Sequence, residues 1–367
     1  MKKVLFITNY AAPYRVRFFD ALARKMDVTV LFSDRTEDKT HRSASWFVEG
    51  EGKCRYVQLS RRKEFRGRHV CLDVIDWLRK DFDAIVVCGY SKPTILLAMA
   101  WMRLHGIAYY MEVDGGLIRQ ESALKYRFKK SLVASARGWF SSGKHTTQYL
   151  VHYGAKPEGI VEYPFSSLEE ADILSAPVSA EEKEVLRQAL GIGESRMILT
   201  IGQFIPRKGF DILLRAAAQM QSGAGIYIVG GEPTEEYRKL CQELQLTNVH
   251  FCGFMKKEEL IRYYKAADLF VLPTREDIWG LVINEAMAYG LPIVTTDRCV
   301  AGLELVEEGV NGYIVPVENP EVLARKLDVA MASDLEAMGV LSLEKVRPYT
   351  IENMVRVHQN CFESGSV

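Results

Sequence analysis

Four side chains in the second half of the chain are of types that can hold phosphate and hydroxyl groups. Arg207 and Lys208 are adjacent cations in GQFIPRKGFDILLRAAA, directly after the apolar run MILTIG (197–202). Lysine meets a phosphate as a point charge, and arginine grips it with a planar fork. Asp277 and Glu285 lie in PTREDIWGLVINEAMAYGLPIVTT (273–296), which reads as strand end, polar turn, helix, Gly-Pro break and strand. Gly280 and Leu281 open that helix and offer backbone N–H groups to an anion. A carboxylate at Glu285 can accept both hydroxyls of a ribose, and one at Asp277 can accept from a sugar. Together these groups describe a nucleotide-sugar site. A plainer reading is also open: Asp277 caps the helix, Glu285 is a solvated surface residue, and Arg207 and Lys208 are exposed surface cations.

These residues need a scaffold that brings two distant turns together. Short apolar runs at 197–202, 226–231, 249–254, 269–274, 292–296 and 312–317 alternate with helical segments, including 180–190 and 257–267. Such alternation is the mark of a parallel, doubly wound sheet. The first half repeats it. KVLFIT (3–8), VTVLF (28–32), DAIVVC (83–88), IAYYMEVDGG (107–116), GWFSSG (138–143) and GIVEYPF (159–165) read as strands. The opening run VLFI is too short for the core of a signal peptide and reads as the first strand. The loop NYAAPYR (9–15) replaces the glycine-rich dinucleotide fingerprint, leaving Tyr14 and Arg15 near a strand's carboxyl end. Glu112 and Asp114, beside Gly115 and Gly116, form a second candidate site, although Asp-Gly-Gly is also an ordinary turn. The expected layout is residues 1–168 as one α/β domain and 169–348 as another, with a central cleft between them. The segment 349–367 is expected to be a helix packing back on the first domain.

Length and composition agree with two soluble domains: 367 residues, 48% hydrophobic and 26% charged. Seven cysteines without a C-x-x-C pair suit a reducing cytoplasm better than a zinc site or a disulfide framework. Net charge is zero but unevenly spread. Residues 1–165 hold 28 Lys+Arg against 17 Asp+Glu, and residues 166–367 hold 19 against 30. A basic first half suggests an anionic partner there. Residues 35–69 read as charged and irregular, with a basic cluster RRKEFRGRH at 61–69. The segment 123–137 reads as a helix in which Lys125, Arg127, Lys129 and Lys130 interleave with Tyr126 and Phe128. Either stretch suits an anionic membrane surface or an ordinary solvated face. No nucleic-acid-binding motif is present.

DIWGLVINEAMAYGLPIV resembles the E-x7-E signature of the retaining glycosyltransferases of family 4, which have the GT-B fold of two Rossmann-like domains facing a cleft. GQFIPRKGFDILLRA resembles the same family's phosphate-binding segment. The resemblance implies Glu285 on the nucleotide ribose, Asp277 on the donor sugar, and Lys208 with Arg207 on the diphosphate. It also implies Gln203, Trp279, Gly280 and Leu281 around the donor, and Gly253 and Phe254 beside the base. Tyr14, Arg15, Glu112 and Asp114 then fall on the acceptor side. Two positions depart from the family pattern: Asp277 stands where glutamate is usual, and Gln203 where arginine is usual. The implied activity is sugar transfer, with retention, from a nucleotide-diphosphate donor such as a UDP-sugar to a hydroxyl of a glycan or lipid-linked acceptor. No cofactor or metal is implied. The expected location is the cytoplasm, with peripheral membrane attachment. A phosphorylase or epimerase on the same fold, or a non-catalytic nucleotide-sugar-binding protein, is the alternative.

Overall fold

The computed structural model describes residues 1–34, 52–65 and 68–365. The chain divides into two compact units, Met1–Ser167 joined by Tyr349–Val367, and Leu168–Pro348.

The first unit begins with β1 (Lys3–Thr8), α1 (Pro13–Ala23), β2 (Asp27–Phe32) and β3 (Arg55–Gln58). Next come β4 (Arg62–Phe65), β5 (Arg68–Cys71), α2 (Val74–Leu78), β6 (Ala84–Cys88) and α3 (Pro93–Leu104). The run continues with β7 (Tyr110–Val113), α4 (Ala123–Val133), β8 (Gly138–Ser141), α5 (Lys144–His152) and β9 (Ile160–Glu162). Seven strands form one parallel sheet in the order β3-β2-β1-β6-β7-β8-β9. All but the first residue of both β1 and β2 are buried, as expected for strands covered by helices on both faces. Proline begins α1 and α3, where its missing N–H has no intrahelical partner to lose.

The stretch read as irregular, 35–69, is not so at its end. β3 extends the parallel sheet beyond β2, and β4 and β5 pair as an antiparallel hairpin. Four-residue strands rich in arginine give no periodic signal, so only their pairing defines them. Residues 35–51, and Arg66 and Gly67 of the basic cluster, lie outside the described residues.

The second unit contains α6 (Ala180–Leu190), β10 (Met197–Ile201), α7 (Phe210–Ala217), β11 (Gly225–Val229), α8 (Glu235–Glu243) and β12 (Val249–Cys252). These are followed by α9 (Lys257–Ala266), β13 (Leu269–Leu272), α10 (Leu281–Ala288), β14 (Ile293–Thr296) and α11 (Val300–Leu305). The unit closes with β15 (Gly312–Val315), α12 (Pro320–Met331) and α13 (Leu335–Val346). Its six strands are all parallel, in the order β12-β11-β10-β13-β14-β15. Strand order therefore reverses between β10 and β13, the point at which doubly wound sheets hold ligands. Among the described residues, no helix is long and apolar enough to cross a membrane.

The last helix, α14 (Ile351–Ser364), belongs to the first unit and packs on α1. Ile351, Met354, Val355, His358, Cys361 and Phe362 form its buried face at helical spacing. The His358 ring stacks on Phe140 with centroids 4.2 Å apart, and Phe18 and Tyr163 flank it. Its Nδ1 lies 2.8 Å from the Met354 carbonyl oxygen, whereas Nε2 has no hydrogen-bond partner among the described residues. Nε2 stands 3.7 Å from Glu112 Oε1, and Arg15 is bonded to that same oxygen. Burial disfavours the imidazolium and outweighs the pull of Glu112, so the pKa of His358 lies below the ordinary histidine value. The unfolded chain thus takes up a proton near pH 6.5 that the folded chain refuses. This contribution to stability is complete above that pH and is lost as pH falls through it. The free energy of urea unfolding should therefore drop from pH 7.5 to pH 5.5, by up to about 1.4 kcal/mol per pH unit from this group. His358→Asn should flatten the slope, and an unchanged slope in that variant would refute the assignment.

Candidate functional site at the strand reversal of the second unit

β10 ends at Ile201, and the chain then makes a short 3-10 turn, Pro206–Lys208, before α7. β13 ends at Leu272 and leads through Pro273–Gly280 into α10. The two connections lie side by side because β10 and β13 are adjacent strands. They are also bonded to each other: the Arg275 N–H donates to the Arg207 carbonyl at 2.8 Å, and Thr274 Oγ1 donates to the same oxygen at 2.9 Å. Gly209 makes the approach possible. Its φ is +68°, and a Cβ there would lie 2.0 Å from the Pro273 carbonyl oxygen.

Across this seam the expected cations meet the expected carboxylate. Lys208 Nζ stands 2.6 Å from Asp277 Oδ2, and Arg207 Nη1 stands 3.2 Å from the same oxygen. Lys208 is 12% exposed at its side chain and Arg207 46%. Asp277 is therefore not the cap of α10. The cap position is Gly280, with φ +102° and no side-chain capping bond. The Asp277 backbone is pinned as well, its N–H donating to Arg298 O at 2.9 Å and its carbonyl accepting from Val300 N at 3.2 Å.

Glu285 is half-buried rather than simply solvated. Tyr264 of α9 donates to its Oε2 at 3.0 Å, which fixes the carboxylate's orientation. Burial first, and then the Glu285 charge, raises the Tyr264 phenol well above its usual pKa, so it stays a donor. Nothing in the sequence pointed to Tyr264; it sits twenty-one positions away on another helix.

The remaining donor-side candidates separate. Gln203 is exposed just beyond β10, and Gly253 and Phe254 are exposed just beyond β12, so all three lie at carboxyl ends of the same sheet. Gly280 and Leu281 begin α10, where the first N–H groups lack intrahelical acceptors. Trp279 is a correction. It is buried, with Nε1 donating to Asn284 Oδ1 at 2.8 Å, so its indole holds the turn onto α10 and is not on offer to a donor. Periodicity places an aromatic beside a glycine equally well in a pocket or a core; here the buried amide acceptor of Asn284 decides.

The acceptor-side candidates also need correction. Arg15 and Glu112 are buried and bonded at 2.7 Å, and Arg15 is bonded to Asp114 as well. Burial raises the Glu112 carboxyl, but the Arg15 guanidinium outweighs it and holds its pKa below the usual range. Arg15 and Glu112 therefore serve the interior of the first unit and do not face an acceptor. Asp114 keeps 24% of its side chain exposed, and Tyr14 is half-buried, edge-on to Phe165 at 5.7 Å.

Residues 182–341, which hold every donor-side candidate, match the family model described as "Glycosyl transferases group 1". An uncharacterized glycosyltransferase of Methanocaldococcus jannaschii is 34% identical over 157 residues, 41% of this chain and 40% of that protein. The D-inositol 3-phosphate glycosyltransferase of Corynebacterium diphtheriae is 29% identical over 223 residues, 56% of this chain and 51% of that protein. Each of these matches is to glycosyltransferases and covers only part of this chain. The aligned regions span about half the length of the curated relatives. The GT-B fold itself extends over the whole chain. Sucrose-phosphate synthase from Thermosynechococcus elongatus superposes with a TM-score of 0.76 at 18% identity, covering 99% of each chain. Anabaena Alr3699/HepE in complex with UDP and glucose gives 0.74 at 17% identity, covering 100% of each. The two Rossmann-like units are thus those of the GT-B fold.

Gly209 is the most constrained point of the seam. Gly209→Ala should lower the free energy of unfolding by at least about 1–2 kcal/mol from its left-handed backbone alone. The clash with Pro273 adds to this, and urea denaturation measures the sum. A variant as stable as the wild type would mean that the two connections are not in contact.

Proposed function

We propose that the chain is a retaining glycosyltransferase of family 4, moving a sugar from a UDP-sugar to a hydroxyl of a glycan or lipid-linked acceptor in the cytoplasm. The observation that carries this reading is the junction of Lys208, Arg207 and Asp277 at the carboxyl ends of β10 and β13. Two cations on one carboxylate oxygen mark a place where an anionic group is held, and the donor's diphosphate has the matching charge. On its arrival Lys208 and Arg207 turn to the phosphates, and Asp277 is released to accept from the sugar. The N-terminus of α10 adds its N–H groups, so the leaving diphosphate is stabilised without a metal. Glu285, steadied by Tyr264, takes the ribose hydroxyls. Solved structures of the same fold agree with this donor class, one in complex with UDP-glucose and another bound with UDP-2-fluoro glucose. Attack on the same face from which the diphosphate leaves, with that diphosphate accepting the proton, gives retention.

Three variants test the donor site against a panel of UDP-sugars. Lys208→Ala should lower the transfer rate by about 10²–10³-fold, the usual cost of losing one donor to developing charge. Glu285→Ala should weaken UDP binding by about 10–100-fold. Asp277→Asn should act in two directions, tightening UDP while abolishing transfer, because the cations lose their resident carboxylate. Should Lys208→Ala and Glu285→Ala leave binding and turnover intact, the site is wrong. UDP binding without any transfer or donor hydrolysis across the panel would favour a non-catalytic sugar-nucleotide binder.

On the acceptor side, we propose that α4 rests on an anionic membrane surface. Leu132 and Val133 face the core, but two large apolar side chains point outward, Leu124 being 79% and Phe128 58% exposed. Lys125, Arg127 and Lys130 are exposed around them, and the helix contains no acidic residue. Lys129 is not part of this face; it is 20% exposed and bonded to Glu121 at 2.9 Å. A helix that turns leucine and phenylalanine to water amid cations suits a lipid interface. Vesicles containing phosphatidylglycerol should float with the protein, and vesicles of phosphatidylcholine alone should not. Leu124→Ser with Phe128→Ser should abolish flotation; retained flotation would exclude this face.

A further inference from the structure

We infer that Arg275, held by Glu318, is a positioning residue for the diphosphate-binding cations; this rests on the donor-site reading above. Arg275 lies two positions before Asp277, yet its side chain turns away from Lys208 and into the scaffold beneath it. Its guanidinium forks onto Asp211 in the first turn of α7, Nη1 to Oδ1 at 2.8 Å and Nη2 to Oδ2 at 2.7 Å. Nη1 also donates to the Pro206 carbonyl at 2.5 Å. Nε and Nη2 donate to Glu318, the latter at 3.2 Å. The Arg275 backbone N–H supplies a further bond, to the carbonyl of Arg207. One residue thereby holds two carbonyls of the short turn that carries Arg207 and Lys208, together with the start of the helix that follows it.

The chemistry of the arrangement requires arginine. A guanidinium presents a rigid set of donors that can serve Asp211, Glu318 and a carbonyl at once, whereas an ammonium is a single point with free rotation. Glu318 is placed with equal commitment. It follows β15 and has a φ of +60°, one of two non-glycine residues with positive φ among the described residues. A β-carbon in that conformation is strained, and such strain persists where surrounding contacts over-determine it. Its two carboxylate oxygens both accept from Arg275. Asp211 responds in turn: burial raises its carboxyl, but the bonds from Arg275 prevail and hold its pKa below the usual range.

The result is a brace behind the cation turn. Arg275 touches neither donor nor acceptor in this scheme. It fixes the carbonyls of Pro206 and Arg207, and hence the points from which the two cations extend. Losing it should weaken recognition of the diphosphate and leave recognition of the nucleoside alone.

The experiment uses the full chain and compares UDP with uridine, UDP by titration calorimetry and uridine by ligand-observed NMR. Arg275→Lys should weaken UDP by about tenfold, the equivalent of one charge-assisted contact, with uridine affinity unchanged. Glu318→Gln, at a half-exposed position that tolerates the change, should shift UDP in the same direction by a smaller factor. Thermal melts of both variants establish that they are folded. Equal weakening of UDP and uridine by Arg275→Lys would show a general structural role and overturn the inference. Unchanged UDP affinity in Arg275→Lys, with Lys208→Ala weakened, would overturn it while leaving the donor site standing. Unchanged UDP affinity in Lys208→Ala would refute the donor site and the brace together.

Discussion

The adjacency of β10 and β13 is the constraint on which the candidate site depends. These strands are separated by three helices and two other strands in sequence, yet Ile198 lies beside Leu269 and Leu199 beside Phe270. Because the chain winds outward from β10 in both directions, helices leave to opposite faces and a crevice opens where the order reverses. Lys208 and Asp277, 69 positions apart, come within 2.6 Å only through that reversal. The backbone seam between the two connections then removes most of their freedom to move apart. The geometry of the candidate site is therefore a property of the sheet before it is a property of any loop.

The first unit has the same winding and a different outcome. Its sheet reverses between β1 and β6. Near the ends of α1 and β7, Arg15 pairs with both Glu112 and Asp114, and His358 of α14 stands beside Glu112. Taking such charges out of water is costly unless each is paired, which they are here. The net positive charge of this half is left for exposed positions, notably the outer face of α4. The acidic second half, conversely, places two cations at its point of reversal. Overall balance thus says little about the charge that a ligand meets.

The sequence was most readable where local pattern and tertiary role coincide. Alternating short strands and helices specify two doubly wound sheets, and PRKG and DIWGLVINEAM mark the two connections that meet. Residues whose role depends on a distant partner were less legible. Trp279 looks like part of a pocket until Asn284 is seen to accept from its indole. Arg15 looks available until Glu112 and Asp114 are seen around it. Tyr264 and Glu318 carry no motif at all, since one acts from a neighbouring helix and the other from the far end of the unit. β3 escaped notice because four residues bearing an arginine become a strand only when a sheet edge is present to receive them.

The chain path through α14 has a consequence for how the protein is made. Phe362 and His358 pack with Phe6, Phe18 and Phe140, so residues from the two ends of the chain complete one aromatic cluster. The second unit is continuous and is synthesised before α14. On a ribosome it is therefore free to fold first, while the earlier-made first unit waits with an open core. A nascent chain stalled before α14 would expose those phenylalanines and become a substrate for chaperones, even though its β1–β9 strands had long since emerged.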